Sequence, residues 1–331
     1  MSAPATTLSL SKETSQKRRQ RFLDEAHYMA TSAFYDQQQA YWQANHMESD
    51  SPEQEAALKS RHIQAGALSR VILTYTAGET IEELSPQLEQ LIQKYEEYQK
   101  NSAIYESLPN ISPLAIDDWP YQYEECVQVI SLCILLHRID LLERFVALID
   151  NAGYAGEDTL YEDLLAKVLP DRHDVDKWYH DLYTPLIRAI YAEDKSEATR
   201  LLKEYCNQWY PAFAQAPWHD AHLAGEEGSY VGYWALEAGA IAFLYGIDDS
   251  QIDHMVYPRD LVAYARNFTP PTGSPQIGRV EAGQPCPRAG YWFTPAQANS
   301  RRHFQQGEPM PCFTGSSWGD TLWYWSGEES A

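Results

Sequence analysis

Between Ser229 and Arg266 the chain reads SYVGYWALEAGAIAFLYGIDDSQIDHMVYPRDLVAYAR, and this stretch limits the fold more than any other. Tyr233, Trp234, Leu236, Ala240, Ile241, Phe243 and Leu244 recur at helical spacing. They cover several sides of one helix, Tyr233 to Tyr245, which must therefore lie inside a packed layer. Gly246 accepts the left-handed conformation of a helix end, and Asp248 or Asp249 is placed to cap a short second helix. Tyr257-Pro258 ends that one, and Pro258 suits the first turn of a last helix running to Arg266, where its missing N–H costs nothing. Helix, tight corner, short helix, helix is the expected unit.

The rest of the chain predicts an all-α protein, an irregular stack of antiparallel helix pairs, followed by a small Gly/Pro/Trp-rich C-terminal segment that is extended or contains β-structure. Residues 1–11 read as a disordered tail, and Lys17-Arg18-Arg19-Gln20-Arg21 as the opening of a long helix through Tyr41. Ser51-Pro52-Glu53 carries the cap and first-turn proline of a second helix that Gly78 closes, and Pro86 marks the start of a third. An N-terminal helical domain is thus expected over 12–107, with a proline-rich connector at 108–120. The C-terminal helical domain, 121–268, contains a hairpin from Tyr121 to Ile149 and helices over Asp158–Leu169, Val175–Tyr191 and Ser196–Trp209. No fixed sequence period joins these pairs into a repeat array. Residues 269–285 read as a linker and 286–331 as an aromatic segment too small to bury a core alone, which must dock on the body or bind something.

Of the 331 residues, 47 are Asp or Glu and 25 are Lys or Arg, a formal charge of −22. Acid exceeds base by 10 in residues 1–150, by 11 in 151–268 and by one thereafter, so the excess belongs to the helical body. Such a surface repels nucleic acid and attracts basic proteins, and it also keeps a protein in solution. No stretch approaches the ~18 to 20 uninterrupted apolar residues of a membrane span, and the N-terminus lacks an apolar signal core. The expectation is a cytoplasmic protein without a membrane or nucleic-acid partner. Five scattered cysteines, without a Cys-x-x-Cys pair, fit reduced thiols.

Motifs for chemistry are weak. His173-Asp174, beside Asp171 and Asp176, looks like the His-Asp pair of a metal-dependent hydrolase, but a lone dipeptide near a proline is more often an acidic helix start. His219 and His222 stand three apart without a third ligand, and Cys286, His303 and Cys312 lack a fourth for zinc. No Gly-rich phosphate loop, nucleophile elbow or dinucleotide fingerprint occurs, so neither a catalytic residue, a metal nor a cofactor is assigned. Glu237 is the polar residue of an apolar helix and needs a partner, with a structural ion pair favoured over a catalytic role. The doublets Glu162-Asp163, Glu226-Glu227 and Asp248-Asp249 are candidates for an acidic surface facing a partner. Capping and solvation explain them equally well.

Two passages resemble the PoNi family of immunity proteins, antidotes to PoNe-type DNase toxins exchanged between bacteria. Tyr75-Thr76-Ala77-Gly78-Glu79-Thr80-Ile81-Glu82-Glu83-Leu84 is similar to the family's N-terminal domain. Tyr233-Trp234-Ala235-Leu236-Glu237-Ala238, then Leu244 to Ser250, then Tyr257-Pro258-Arg259-Asp260-Leu261-Val262, resembles its C-terminal domain in order and spacing. The resemblance spans about residues 15–268 and leaves out the aromatic tail. There, Cys286-Pro287-Arg288-Ala289-Gly290-Tyr291-Trp292 resembles a segment at the ends of other secretion-system immunity proteins. What the family implies is a non-catalytic protein that binds its own toxin, delivered by type VI secretion, with an acidic face standing in for phosphate in a basic cleft. Trp234, Glu237, Gly246, Tyr257 and Pro258 are then packing residues. The toxin is the expected partner, and a homodimer is left open.

Overall fold

Caps written in the sequence set the frame. The computed structural model describes residues 17–268, 279–314 and 321–327. The expected 1–11 tail, Trp318 and most of the 269–285 linker lie outside them. Asp24 accepts from the His27 amide and starts α1, Glu25–Ala44. Ser51 accepts from the Gln54 amide, Pro52 occupies the first turn, and α2 runs Pro52–Ala77 to a left-handed Gly78. A side chain at Gly78 would collide with the Lys17 carbonyl, so glycine is required twice over. Thr80 and Glu83 form a capping box ahead of α3, Leu84–Glu106, which packs along α2.

Next come α4, Pro120–Leu135, and α5, Ile139–Ile149, the expected hairpin. They are followed by α6, Thr159–Ala166, α7, Thr184–Ile190, α8, Lys195–Ala212, α9, Leu236–Tyr245, and α10, Arg259–Asn267. Every residue of α4 from Cys126 to Leu135 is buried, and α5, α6, α9 and α10 pack around it. The α9–α10 crossing is close because Gly239 has no side chain: a Cβ there would lie 2.7 Å from Pro258. One continuous apolar core runs from Leu23 to Ala265.

Four expectations give way to tertiary contacts. The basic run does not open a helix. Instead, residues 18–23 cross to the C-terminal half: Arg19 donates from its amide to the Thr76 carbonyl at 2.8 Å, and its guanidinium pairs with Asp260. Gln20 is buried, its Nε2 donating to the carbonyls of Tyr233 (2.6 Å) and Met255 (2.9 Å). Its Oε1 accepts from the Tyr230 hydroxyl (2.5 Å) and the Tyr233 amide (2.9 Å). For the same reason α9 begins at Leu236: Tyr233 is held by Gln20, and the Ala235 amide donates to the Val256 carbonyl. No short helix intervenes between Gly246 and α10, because Asp249 turns inward to Tyr257 and Arg266 rather than capping one. Finally, residues 170–180 are irregular, and the expected Val175–Tyr191 helix is reduced to a turn at Asp181–Tyr183 and α7.

The C-terminal segment forms a four-stranded antiparallel sheet: β1, Arg279–Glu281; β2, Gly290–Phe293; β3, Arg302–Phe304; β4, Leu322–Gly327, in the order β1-β4-β2-β3. It has its own small core, in which Trp292 and Trp325 face each other across β2 and β4 with Cys286, Phe304, Met310 and Trp323. The buried Lys167 ammonium joins sheet to body, lying 4.7 Å from the ring of Tyr245 in α9 and 5.9 Å from that of Tyr324 in β4.

Replacing Gln20 by Leu leaves two carbonyls, an amide and a hydroxyl without their buried partner. Urea denaturation is expected to show a loss of at least about 4 kcal/mol, since each of the four orphaned groups costs ~1–3 kcal/mol; a loss below about 0.5 kcal/mol would show that water replaces the side chain freely.

Candidate functional site

The acidic doublets chosen from the sequence separate into inside and outside. Glu162 and Asp163 were expected at the surface and are each 1% exposed. They lie on α6, all of whose residues are buried, so the helix has no solvent face to offer. Glu162 accepts from Arg172 (2.8 Å, twice), from the Gly156 amide (2.7 Å) and from the His173 amide (3.1 Å), while Arg172 also grips Asp150 at 2.5 Å. Asp163 accepts from the Tyr191 hydroxyl at 2.9 Å, and burial pushes its carboxyl up to about 8. Asp249 also points inward, whereas Asp248 is exposed and caps the turn at Ser250. The side chains of Glu226 and Glu227 lie outside the described residues.

Among the described residues Glu237 has no ion-pair partner. It is fully buried and accepts from the Tyr205 hydroxyl (2.6 Å) and the Trp209 indole (3.0 Å), both on α8. Its second oxygen has no hydrogen-bond partner among the described residues, nor has the Tyr183 hydroxyl. Burial raises the carboxyl to about 7. Glu124 on α4, which receives the Trp218 indole and the Gln128 amide, is driven well up by burial and then by the charge of Glu237. These interior acids do not project charge, so the field around the body is weaker than the formal count implies. Trp234, Tyr257 and Pro258 are buried, and the Trp234 indole donates to Thr76 at 2.9 Å beneath the ring of Tyr75.

Exposed acid gathers elsewhere. Asp117 and Asp118 in the connector, Glu157 before α6, and Asp171, Asp174, Asp176 and Asp181 in and beside the irregular segment all reach solvent. Asp158 fixes this region from below: Oδ1 accepts from the Tyr161 amide and the Tyr123 hydroxyl, and Oδ2 from the Tyr179 amide at 2.9 Å. The Thr159 amide donates to the Lys177 carbonyl, and His180 meets the Ile116 carbonyl. Above lie Tyr154 and Tyr179, edge to face at 6.3 Å. Burial and then the charges of Asp117, Glu157 and Asp158 raise the Tyr179 hydroxyl to about 12. Tyr154 donates to Asp117 at 2.7 Å, and Trp119 is half exposed at the start of α4. The result is an acidic patch, tied down by these hydrogen bonds, that carries three aromatic side chains. The sequence predicts a connector over 108–120 and a helix from Val175, which hides the patch; the density of Asp between 171 and 181 is its one visible signal.

His173 is exposed in the same segment, and among the described residues no three His, Cys, Asp or Glu side chains are grouped to hold a metal. His219 stacks on Tyr210 and His222 meets the Tyr233 hydroxyl at 2.8 Å, so both belong to the aromatic layer. Cys286 donates to the Arg288 carbonyl.

The family model for the N-terminal domain of PoNe immunity proteins (PoNi) matches residues 19–146, and the C-terminal model matches residues 156–261. The chain belongs to the PoNi family of immunity proteins. No curated protein matches it. Among solved structures, the crystal structure of protein PA2201 from Pseudomonas aeruginosa is similar in fold, with a TM-score of 0.57 at 22% identity, covering 79% of this chain and 96% of that one. The two PoNi models meet at residues 147–155, beside the acidic patch, and the sheet lies outside both. Among the described residues, no helix is long and apolar enough to cross a membrane.

Glu162→Ala would leave Arg172 with Asp150 alone in a buried setting, and is expected to cost about 3–5 kcal/mol in denaturant unfolding; a near-normal midpoint would place Glu162 at the surface after all. For Glu237 the folded carboxyl titrates near 7 against an ordinary 4.5. Both states are neutral below 4.5, the unfolded chain ionises first above it, and this contribution to stability is therefore lost as pH rises toward 7. Glu237→Gln is expected to flatten the stability profile between those values, and a slope equal to that of the unaltered protein would assign the dependence to other groups.

Proposed function

We propose that this chain binds and neutralises a cognate antibacterial toxin, a DNase delivered by a secretion system, and does so without chemistry of its own. The observation that carries this reading is the ordered match of both PoNi models over residues 19–261, with PoNe named as the toxin of that family. The acidic patch supports it physically. A DNase surrounds its cleft with Lys and Arg to hold phosphates, and exposed carboxylates on a rigid support satisfy the same donors. Trp119, Tyr154 and Tyr179 supply the flat apolar area in which binding energy concentrates. We assign first contact to Asp117, Asp118 and Glu157, with Trp119 as the anchor; Asp248, Glu226 and Glu227 remain candidates for a wider acidic rim.

The test is co-expression with the product of the adjacent gene, purification of the complex, and DNA degradation with and without this chain. A stable complex in which cleavage disappears supports the reading. A complex with a toxin that never cuts DNA keeps immunity and removes the nuclease, while absence of a complex overturns both. Within the complex, Trp119→Ala combined with Asp117→Lys and Asp118→Lys is expected to weaken toxin binding at least about 30-fold, the loss of a central aromatic anchor and its electrostatic partners. An unchanged melting temperature must accompany the loss, and unchanged affinity would move the interface to another face.

A further inference from the structure

Helix α1 is the least charged long helix surface on a highly charged protein. Its 20 residues include only Glu25 and Asp36 as charged side chains, against 72 Asp, Glu, Lys and Arg in 331. It packs on α2 through one side and touches the turn at Ala221–Glu227. The opposite side is apolar and open: Met29, Phe34 and Tyr41 are 61, 59 and 54% exposed. Single exposed hydrophobics need no explanation, but three on one helix, with alanines between them, form a patch that does.

The spacing of that patch suits a second copy of the same helix. Ala26, Ala30, Ala33, Gln37, Ala40 and Ala44 are all exposed and follow each other at intervals of four, three, four, three and four residues. This is the seam of a coiled coil. It is also symmetric in position about Tyr35. In an antiparallel pair of identical helices, Ala26 falls opposite Ala44, Ala30 opposite Ala40, and Ala33 opposite Gln37, while Phe34 meets its own copy beside the axis. A two-fold interface requires such self-complementarity, and this face meets the requirement.

We propose that α1 is the dimerisation surface through which two copies of this chain associate, antiparallel and centred on Tyr35. Alanine at the seam lets the helix axes approach to about 8 Å, and a helix of this length offers about 30 Å of contact. Charge permits the pairing here. Two strongly acidic copies repel each other over most of their surface, and α1 places almost no carboxylate against its mate. Asp36 lies near the axis and meets its own copy, but Arg70 holds it at 3.3 Å and relieves that approach. One helix pair lies at the low end of specific interface areas, near ~1,200 Å² in total, so the dimer is expected to dissociate on dilution.

Sedimentation velocity of the full chain, over a dilution series into the tens of micromolar, is expected to show a monomer–dimer equilibrium. Ala33→Glu, an exposed position, is expected to weaken it at least about tenfold by bringing a carboxylate into the seam, with the melting temperature unchanged. Register is read by cross-linking in a Cys312→Ser background, which removes the exposed thiol. A mixture of Ala30→Cys and Ala40→Cys proteins should join through a short bis-maleimide, and Ala30→Cys alone should not. A monomer at every concentration, equal dimerisation by Ala33→Glu, or joining of Ala30→Cys to itself overturns the proposal. So does loss of toxin binding by Ala33→Glu in a chain that is always monomeric, because the toxin would then be the occupant.

Discussion

The side chain of Gln20 ties the two halves of the helical body together. Four partners from Tyr230, Tyr233 and Met255 use both donors and both acceptor directions of one buried amide. This contact keeps residues 230–235 extended, which in turn delays α9 to Leu236 and aims Trp234 at Thr76. Arg19 extends the same seam through Asp260, to which the Tyr75 hydroxyl also donates. The two PoNi models divide the sequence at residues 147–155, yet the body shares one core, because α4 packs against α6, α9 and α10 across the division and this N-terminal strap reaches over it as well.

That strap also explains what could and could not be read in advance. The helices that stand on local signals were legible: Ser51 and Pro52 for α2, Pro86 in the first turn of α3, the short corner between α4 and α5, and the left-handed Gly246. So was the change to extended structure in the aromatic tail. Long-range partners account for the departures. Helical spacing from Lys17 to Tyr41 is indifferent to whether Gln20 faces solvent or Tyr233, and only a contact 213 residues away decides it. Likewise nothing in Val175–His180 forbids a helix, but Asp158 takes the Tyr179 amide and fixes an open loop instead.

The acidic doublets teach a related point. Glu162-Asp163 and Glu226-Glu227 look alike in sequence, but α6 is surrounded by other helices and is buried all round. Arg172, ten residues further on, compensates Glu162. A carboxylate can therefore count toward formal charge without contributing to the field a partner meets. Glu124, Asp163 and Glu237 go further, since burial favours their neutral forms. The steering field of this protein comes from the rest, and among these the patch around Tyr154 and Tyr179 combines charge with a fixed support.

Fixing matters more than the number of charges. An exposed carboxylate on a mobile chain accelerates encounter but is screened by salt and loses conformational entropy on docking. Here Asp158 anchors the loop through backbone amides, Tyr154 holds Asp117, and Lys177 pairs with Glu157 at 2.5 Å. A partner that brings Lys or Arg to this surface displaces one lysine and meets acids already in place. Trp119 stands beside them with half its surface open, so desolvation of an aromatic ring can supply the short-range stability that screened charges lack. The α1 face has the opposite character, apolar and almost uncharged. A surface that draws in a basic partner and one that tolerates an acidic copy are therefore separated on the same molecule by charge alone.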